Sequence, residues 1–126
     1  MKDGKHVILC VDDDQDMLDA TRLVLEKNGY AVAEARTAEA GLKVYRETDP
    51  DLIIVDLMME EIDAGASLVK ELQAVGNQAP IYMLSSMGDS LSLAADYSSL
   101  GLCGVFQKPL DNEQLLTILR TKLKQA

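Results

Sequence analysis

Five short apolar runs alternate along the chain with longer segments in which apolar residues recur at helical spacing. The runs cover residues 6–11, 30–35, 51–56, 79–86 and 103–109. Each run has the length of a buried strand, and the segment after it repeats with a period of about 3.6 residues. Strands linked by helices pair in parallel through right-handed crossovers, with helices on both faces of the sheet. The sequence therefore predicts an α/β fold, a doubly wound five-stranded parallel sheet with five helices.

Capping residues and stop signals predict the limits of these helices. The helical segments cover residues 15–29, 38–48, 66–76, 89–101 and 112–125. Thr37 is a candidate N-cap for the second helix, and the pair Asp49 and Pro50 ends that helix. Asp111 opens a capping-box pattern that reaches Gln114 and starts the last helix.

Length and charge exclude several classes of protein. The chain has 126 residues, of which 48% are hydrophobic, and this suits a single domain over residues 1–126. The formal net charge is -9 without a block of Lys and Arg, so we expect no direct binding of nucleic acid. No apolar stretch reaches the roughly 18 residues needed to cross a bilayer, and the N-terminus lacks a signal-peptide core. We therefore expect a cytoplasmic protein.

The cysteines and the histidine do not suggest a metal or redox site. Cys10 and Cys103 both stand in apolar surroundings, where a free thiol behaves as a small buried hydrophobic group. His6 is the only histidine of the chain, and it precedes the first strand without a second ligand nearby in sequence. We therefore expect two buried free thiols and a His6 that lies at the surface or at an edge.

Polar residues stand where four of the five predicted strands end. Asp12 and Asp13 follow the first strand, and Asp56 ends the third, which is the most apolar. Ser85 ends the fourth strand, Lys108 ends the fifth, and the second strand ends in no reactive residue. The carboxyl ends of parallel strands meet at one edge of a sheet, which is where such folds bind ligands. Three carboxylates, a hydroxyl and an ammonium are therefore expected to share one pocket.

This set of groups fits the chemistry of a phosphoryl group. Three close carboxylates repel one another unless a cation joins them, and Mg²⁺ prefers oxygen ligands. Lys108 supplies a second positive charge and Ser85 a hydrogen-bond donor, which together suit phosphoryl transfer. Asp56 is the preferred nucleophile because a rigid central strand holds it, whereas Asp12 and Asp13 lie at a turn suited to metal binding.

The segments "ILCVDDD", "LIIVDLMM", "MLSS" and "FQKP" occur in an order and at separations that closely resemble the receiver domain of two-component response regulators, the CheY-like superfamily. The resemblance runs over essentially the whole chain. It implies the flavodoxin-like strand order 2-1-3-4-5. It also implies that Asp56 is the phosphoacceptor for a sensor histidine kinase, in a signalling domain that does not turn over an external substrate.

The same resemblance implies roles for the other residues at the strand ends. Asp12 and Asp13 correspond to the acidic pair that binds Mg²⁺, and Met58 would add its backbone carbonyl. Ser85 corresponds to the hydroxyl that moves toward the phosphoryl group, and Lys108 to the ammonium that contacts it. The surface of the fourth helix, the fifth strand and the fifth helix would then bind a downstream protein or an output domain. A homodimer, a stand-alone receiver and a fragment of a longer regulator all remain open.

The chain departs from the family pattern in two places. Glu60 and Ala64 stand where the family often has a proline and the glycine of an Asp-Gly turn, so the loop before the third helix is expected to differ. Val105 stands where the family usually has an aromatic switch residue, and Phe106 beside it should face the opposite side of the strand. We therefore do not expect the usual aromatic rotation.

Two other classes of function compete with a phosphoacceptor. A phosphohydrolase with an Asp nucleophile needs a second acid two residues later, and Met58 occupies that position, which disfavours this class. A receiver-like module that does not accept phosphate would usually lack an acid or the lysine, and this chain has both.

Overall fold

The computed structural model describes residues 4–56, 64–85, 103–107 and 111–123. The strands are β1 Val7–Val11, β2 Ala31–Ala35, β3 Leu52–Asp56, β4 Ile81–Ser85 and β5 Gly104–Gln107. The helices are α1 Gln15–Lys27, α2 Ala38–Thr48, α3 Ala64–Ala74 and a C-terminal helix Asn112–Leu123. The predicted helix over residues 89–101 lies outside the described residues. No helix within the described ranges is long and apolar enough to cross a membrane.

The five strands form one sheet in the order β2-β1-β3-β4-β5. Every neighbouring pair is parallel. Among the described strands, the predicted parallel α/β arrangement and strand order are therefore confirmed. Every residue of β1 and β3 is buried, as expected for central strands that helices cover on both faces.

Side chains alternate between the two faces of the sheet and build two cores. One face packs against α2 and α3, and its main strand residues are Leu9, Val11, Ile53, Val55 and Met83. The other face packs against α1 and the C-terminal helix, and its main strand residues are Ile8, Cys10, Ile54, Tyr82, Leu84 and Phe106. This alternation follows from the two-residue period of a strand. Burial of both faces holds the strands in a fixed register, which in turn sets where their ends lie.

The helix ends follow local hydrogen-bonding rules. Thr37 Oγ1 accepts a hydrogen bond from the Ala40 N–H at 3.0 Å, as predicted for an N-cap. Asp49 ends α2 in the left-handed region with φ of 48°, directly before Pro50. Asp111 accepts a hydrogen bond from the Glu113 N–H at 2.9 Å, which confirms it as the cap of the C-terminal helix.

Gly41 allows α2 to approach β1 and α3 closely. A Cβ atom at this position would lie 3.0 Å from Leu68 Cδ2 and 3.1 Å from Val11 Cγ2. Such distances are shorter than ordinary van der Waals contact, so only glycine fits without movement of its neighbours. Val11 is the last residue of β1, and this contact therefore supports the strand end that precedes Asp12.

The two cysteines differ in exposure, which corrects the prediction that both are buried. Cys10 is buried on β1 whereas Cys103 is exposed, and both are free thiols. Burial raises the pKa of the Cys10 thiol to about 12, and the nearby charges of Glu34 and Asp12 add to the effect. Cys103 lies one residue before β5, where its own backbone pairs with Ile81 and the side chain is left at the surface.

We expect only one of the two thiols to react with Ellman's reagent in the folded protein at pH 8. Cys10 keeps its proton there because its pKa of about 12 leaves almost no thiolate, the reactive form. In the unfolded chain, where a thiol titrates near 9.0, both should react. Cys103→Ser should leave no fast-reacting thiol, and fast labelling of this variant would contradict the assignment. The contribution of the Cys10 thiol to the free energy of unfolding is fully present below pH 9.0. It decreases as the pH rises from there toward about 12, the pKa of Cys10 in the folded protein.

Candidate functional site

The register between β1 and β3 places two acids side by side. Val11 pairs with Val55 in the parallel ladder, so the residues after this pair are Asp12, directly after β1, and Asp56, the last residue of β3. Both carboxylates belong to residues that are only 2% exposed. Their proximity therefore follows directly from the pairing of two apolar strands.

Asp13 completes a cluster of three carboxylates at this edge of the sheet. One carboxylate oxygen from each of Asp12, Asp13 and Asp56 lies within 4.8 Å of the other two. At an effective dielectric constant of about 20, two such charges repel by about 4 kcal/mol. A hard divalent cation with oxygen ligands offsets this repulsion, and the donor set fits Mg²⁺. The structure thus brings the three predicted acids together in an arrangement that could hold a metal.

Local hydrogen bonds shape the turn that carries the first two acids. Asp12 Oδ1 accepts a hydrogen bond from the Asp14 N–H at 3.0 Å. Asp14 is in turn the N-cap of α1 and accepts hydrogen bonds from Asp16 N and Met17 N. The turn therefore passes directly from the buried end of β1 into the first turn of a helix, with little freedom between them.

Two further hydrogen bonds join this turn to the end of β2. The Asp12 N–H donates to the Ala35 carbonyl at 3.0 Å. The Arg36 guanidinium donates through Nη2 to the Asp13 carbonyl at 3.1 Å. The second strand ends in no reactive residue, as expected, but the arginine that follows it contacts the acidic turn, and sequence reasoning did not single out this contact. The available signal was the position of Arg36 directly after β2, the strand that pairs with β1.

Of the other predicted site residues, Ser85 is within the described part of the chain. Ser85 is the last residue of β4 and follows Leu84, the register partner of Asp56. The Ser85 backbone also pairs with Gln107 of β5, which is the residue before Lys108. Met58 and Lys108 themselves lie outside the described residues. The backbone register thus brings the ends of β3, β4 and β5 to the same edge of the sheet.

Comparison with protein families decides what kind of domain has this site. Residues 8–120 match the family model of the response regulator receiver domain. The chain belongs to the response regulator receiver family. Receiver domains are signalling domains of two-component systems and not enzymes that turn over an external substrate. The resemblance seen in the sequence is therefore confirmed.

The relatives of this receiver domain include a protein of similar length and a longer one. It is 34% identical over 119 residues to chemotaxis protein CheY of Bacillus subtilis, covering 94% of this chain and 98% of CheY. It is 31% identical over 125 residues to transcriptional regulatory protein CseB of Streptomyces coelicolor, covering 99% of this chain and 52% of CseB. The chain therefore spans about half the length of CseB and nearly all of CheY.

A solved structure agrees with the observed fold. The crystal structure of a CheY-like response regulator receiver domain protein from Methanospirillum hungatei has a TM-score of 0.83 and 27% identity. The similarity covers 94% of this chain and 94% of that one.

Proposed function

We propose that this receiver domain accepts a phosphoryl group on Asp56 from the phosphohistidine of a sensor histidine kinase. The observation that supports this most directly is the cluster of Asp12, Asp13 and Asp56 at the carboxyl edge of the sheet. Asp56 ends a central strand whose five residues are all buried. A nucleophile held this rigidly loses little entropy when it reaches the attacking geometry.

The proposed reaction exchanges one bond to phosphorus for another. An oxygen of the Asp56 carboxylate attacks phosphorus, and the bond between phosphorus and the imidazole nitrogen of the donor breaks. The imidazole keeps the electron pair and takes up a proton, and Asp56 becomes an acyl phosphate. Such a transfer depends mainly on positioning and on neutralisation of the phosphoryl charge.

The remaining residues at the strand ends would supply that neutralisation. Asp12, Asp13 and Asp56, with the backbone carbonyl of Met58, would hold Mg²⁺. The ion would supply positive charge beside the phosphoryl oxygens and screen the carboxylates from one another. Lys108 would contact the phosphoryl group as a second cation, and Ser85 would donate a hydrogen bond to it.

The proposed output is a change in the surface that this domain presents to a binding partner. Attraction of Ser85 and Lys108 to the new dianion would favour one arrangement of the loop after β4. A downstream protein or an output domain would then bind at β5 and the C-terminal helix, together with the predicted fourth helix. The similarity to half of CseB is compatible with an output domain, and that to nearly all of CheY with a separate partner.

The test is incubation of the purified protein with acetyl phosphate and Mg²⁺, followed by intact-mass measurement. We expect one phosphoryl group per chain, and we expect its loss in alkali because acyl phosphates hydrolyse readily. Adding EDTA before the donor should prevent the modification, since the three carboxylates would then lack their cation. An unmodified mass at saturating donor and Mg²⁺ would refute the proposal, and modification that survives EDTA would refute the metal requirement.

A further inference from the structure

We propose that Arg36 is a positioning residue that holds Asp13 in place for the divalent cation. This inference rests on the proposed function, because it concerns the same metal site. Its basis is the 3.1 Å hydrogen bond from Arg36 Nη2 to the Asp13 carbonyl, which connects residues 23 positions apart in sequence.

Of the three acids in the cluster, Asp13 has the weakest connection to the sheet. Asp56 lies within β3, and the Asp12 N–H extends the ladder of β1 by bonding to the Ala35 carbonyl. Asp13 is one residue further from the sheet, and it is partly exposed whereas Asp12 and Asp56 are buried. The bond from Arg36 holds the carbonyl of Asp13, and with it the planar peptide that joins Asp13 to Asp14. This peptide is attached to the Cα atom from which the Asp13 carboxylate projects.

Arginine suits this position better than other cations. Its planar guanidinium presents several donors in a rigid fork, so one N–H can bond a carbonyl while the group stays hydrated. Arg36 is exposed and directly follows β2, a strand held against β1 over five paired positions. The side chain therefore starts from a fixed backbone and reaches the acidic turn from outside the core.

The charge of Arg36 and its hydrogen bond to Asp13 predict opposite changes in Mg²⁺ affinity when Arg36 is replaced by alanine. A guanidinium near a cation site repels the cation, so loss of charge alone should tighten binding of Mg²⁺. Loss of the hydrogen bond should weaken binding, because Asp13 must then be ordered when the ion arrives. The direction of the change in Mg²⁺ affinity thus distinguishes the two roles without any phosphoryl donor.

The experiment is a titration of the metal-free protein with Mg²⁺, observed through the amide NMR signals of Asp13 and Asp14. For Arg36→Ala we expect the Kd to rise about threefold to tenfold, as one exposed charge-assisted hydrogen bond allows. Arg36→Lys should fall between the parent and the alanine variant, because an ammonium can donate to the carbonyl but lacks the fork. In the metal-free state, Arg36→Ala should also lower the heteronuclear NOE of these two amides.

Arg46→Ala is the matched control, since it removes the same charge from the last turn of α2, at the other end of that helix from Arg36. Its Kd should stay within about twofold of the parent value, because its charge is exposed and screened. A Kd for Arg36→Ala that is unchanged or lower than the parent's would overturn the positioning role, while the proposed function would stand. A parent protein that takes up no Mg²⁺ would overturn both, and thermal unfolding of each variant near the parent midpoint would confirm that folding is intact.

Discussion

Asp56→Asn is expected to abolish phosphorylation by acetyl phosphate and, without metal, to raise the free energy of unfolding by about 1 to 2 kcal/mol. The amide of asparagine does not attack phosphorus, so the mass should remain that of the unmodified variant. The substitution also removes one of three carboxylates whose oxygens lie within 4.8 Å of one another. Full repulsion at about 4 kcal/mol per pair is an upper bound, because water and neighbouring dipoles screen the charges.

The measurement combines intact mass with urea unfolding in EDTA. The control is Asp51→Asn at the opposite end of β3, where Asp51 Oδ2 accepts a hydrogen bond from the Val7 N–H at 2.8 Å. We expect this variant to keep its phosphorylation and to lose stability, since a charged acceptor is replaced by a weaker neutral one. A phosphorylated Asp56→Asn protein would exclude Asp56 as the acceptor, and a destabilised one would contradict the repulsion within the cluster.

Phe106→Ala is expected to lower the free energy of unfolding by about 3 to 4 kcal/mol, the usual range for a buried aromatic side chain. Phe106 is 2% exposed and stacks on Tyr82, with ring centroids 5.3 Å apart. It belongs to the core that also contains Leu115 and Leu119 of the C-terminal helix. Removal of the ring leaves a cavity under that helix and breaks the aromatic stack.

Urea unfolding of Phe106→Ala, Phe106→Leu and Leu23→Ala tests this structural role. The leucine variant should lose less, about 1 to 1.5 kcal/mol, because most of the buried volume is kept. Leu23 is 63% exposed, so its alanine variant should change stability by no more than about 0.5 kcal/mol. A loss below about 1 kcal/mol for Phe106→Ala would indicate that the ring can leave the core, as an aromatic switch must.

The burial of the Phe106 ring limits how this domain can signal. The sequence predicted that Phe106 faces away from the side that position 105 faces, and the structure places Phe106 in the core that contains residues of α1 and the C-terminal helix. A buried ring that stacks on Tyr82 cannot rotate out of this core without opening it. We therefore expect the output of this receiver to depend on residues other than an aromatic on β5.

The sequence by itself determined the strand pattern and indicated the three acids that the structure brings together, Asp12, Asp13 and Asp56. Apolar runs of strand length between helical segments permit a parallel sheet, and parallel strands bring Asp12 and Asp56 to one edge. The acids could be predicted because each directly follows or ends a buried apolar run, so their placement depends only on strand periodicity. The capping roles of Thr37 and Asp111 were also predictable, because a helix cap depends on residues within one turn.

Only the tertiary structure decided which acceptor Arg36 contacts and that Cys103 is exposed. The bond from Arg36 to Asp13 joins the residue after β2 to the turn after β1, and no local pattern predicts which acceptor a long exposed side chain will bond. Cys103 stands in an apolar stretch yet is exposed, one residue before β5 begins. Periodicity describes which way a side chain leaves its own strand or helix, whereas contacts between elements depend on how those elements pack against one another.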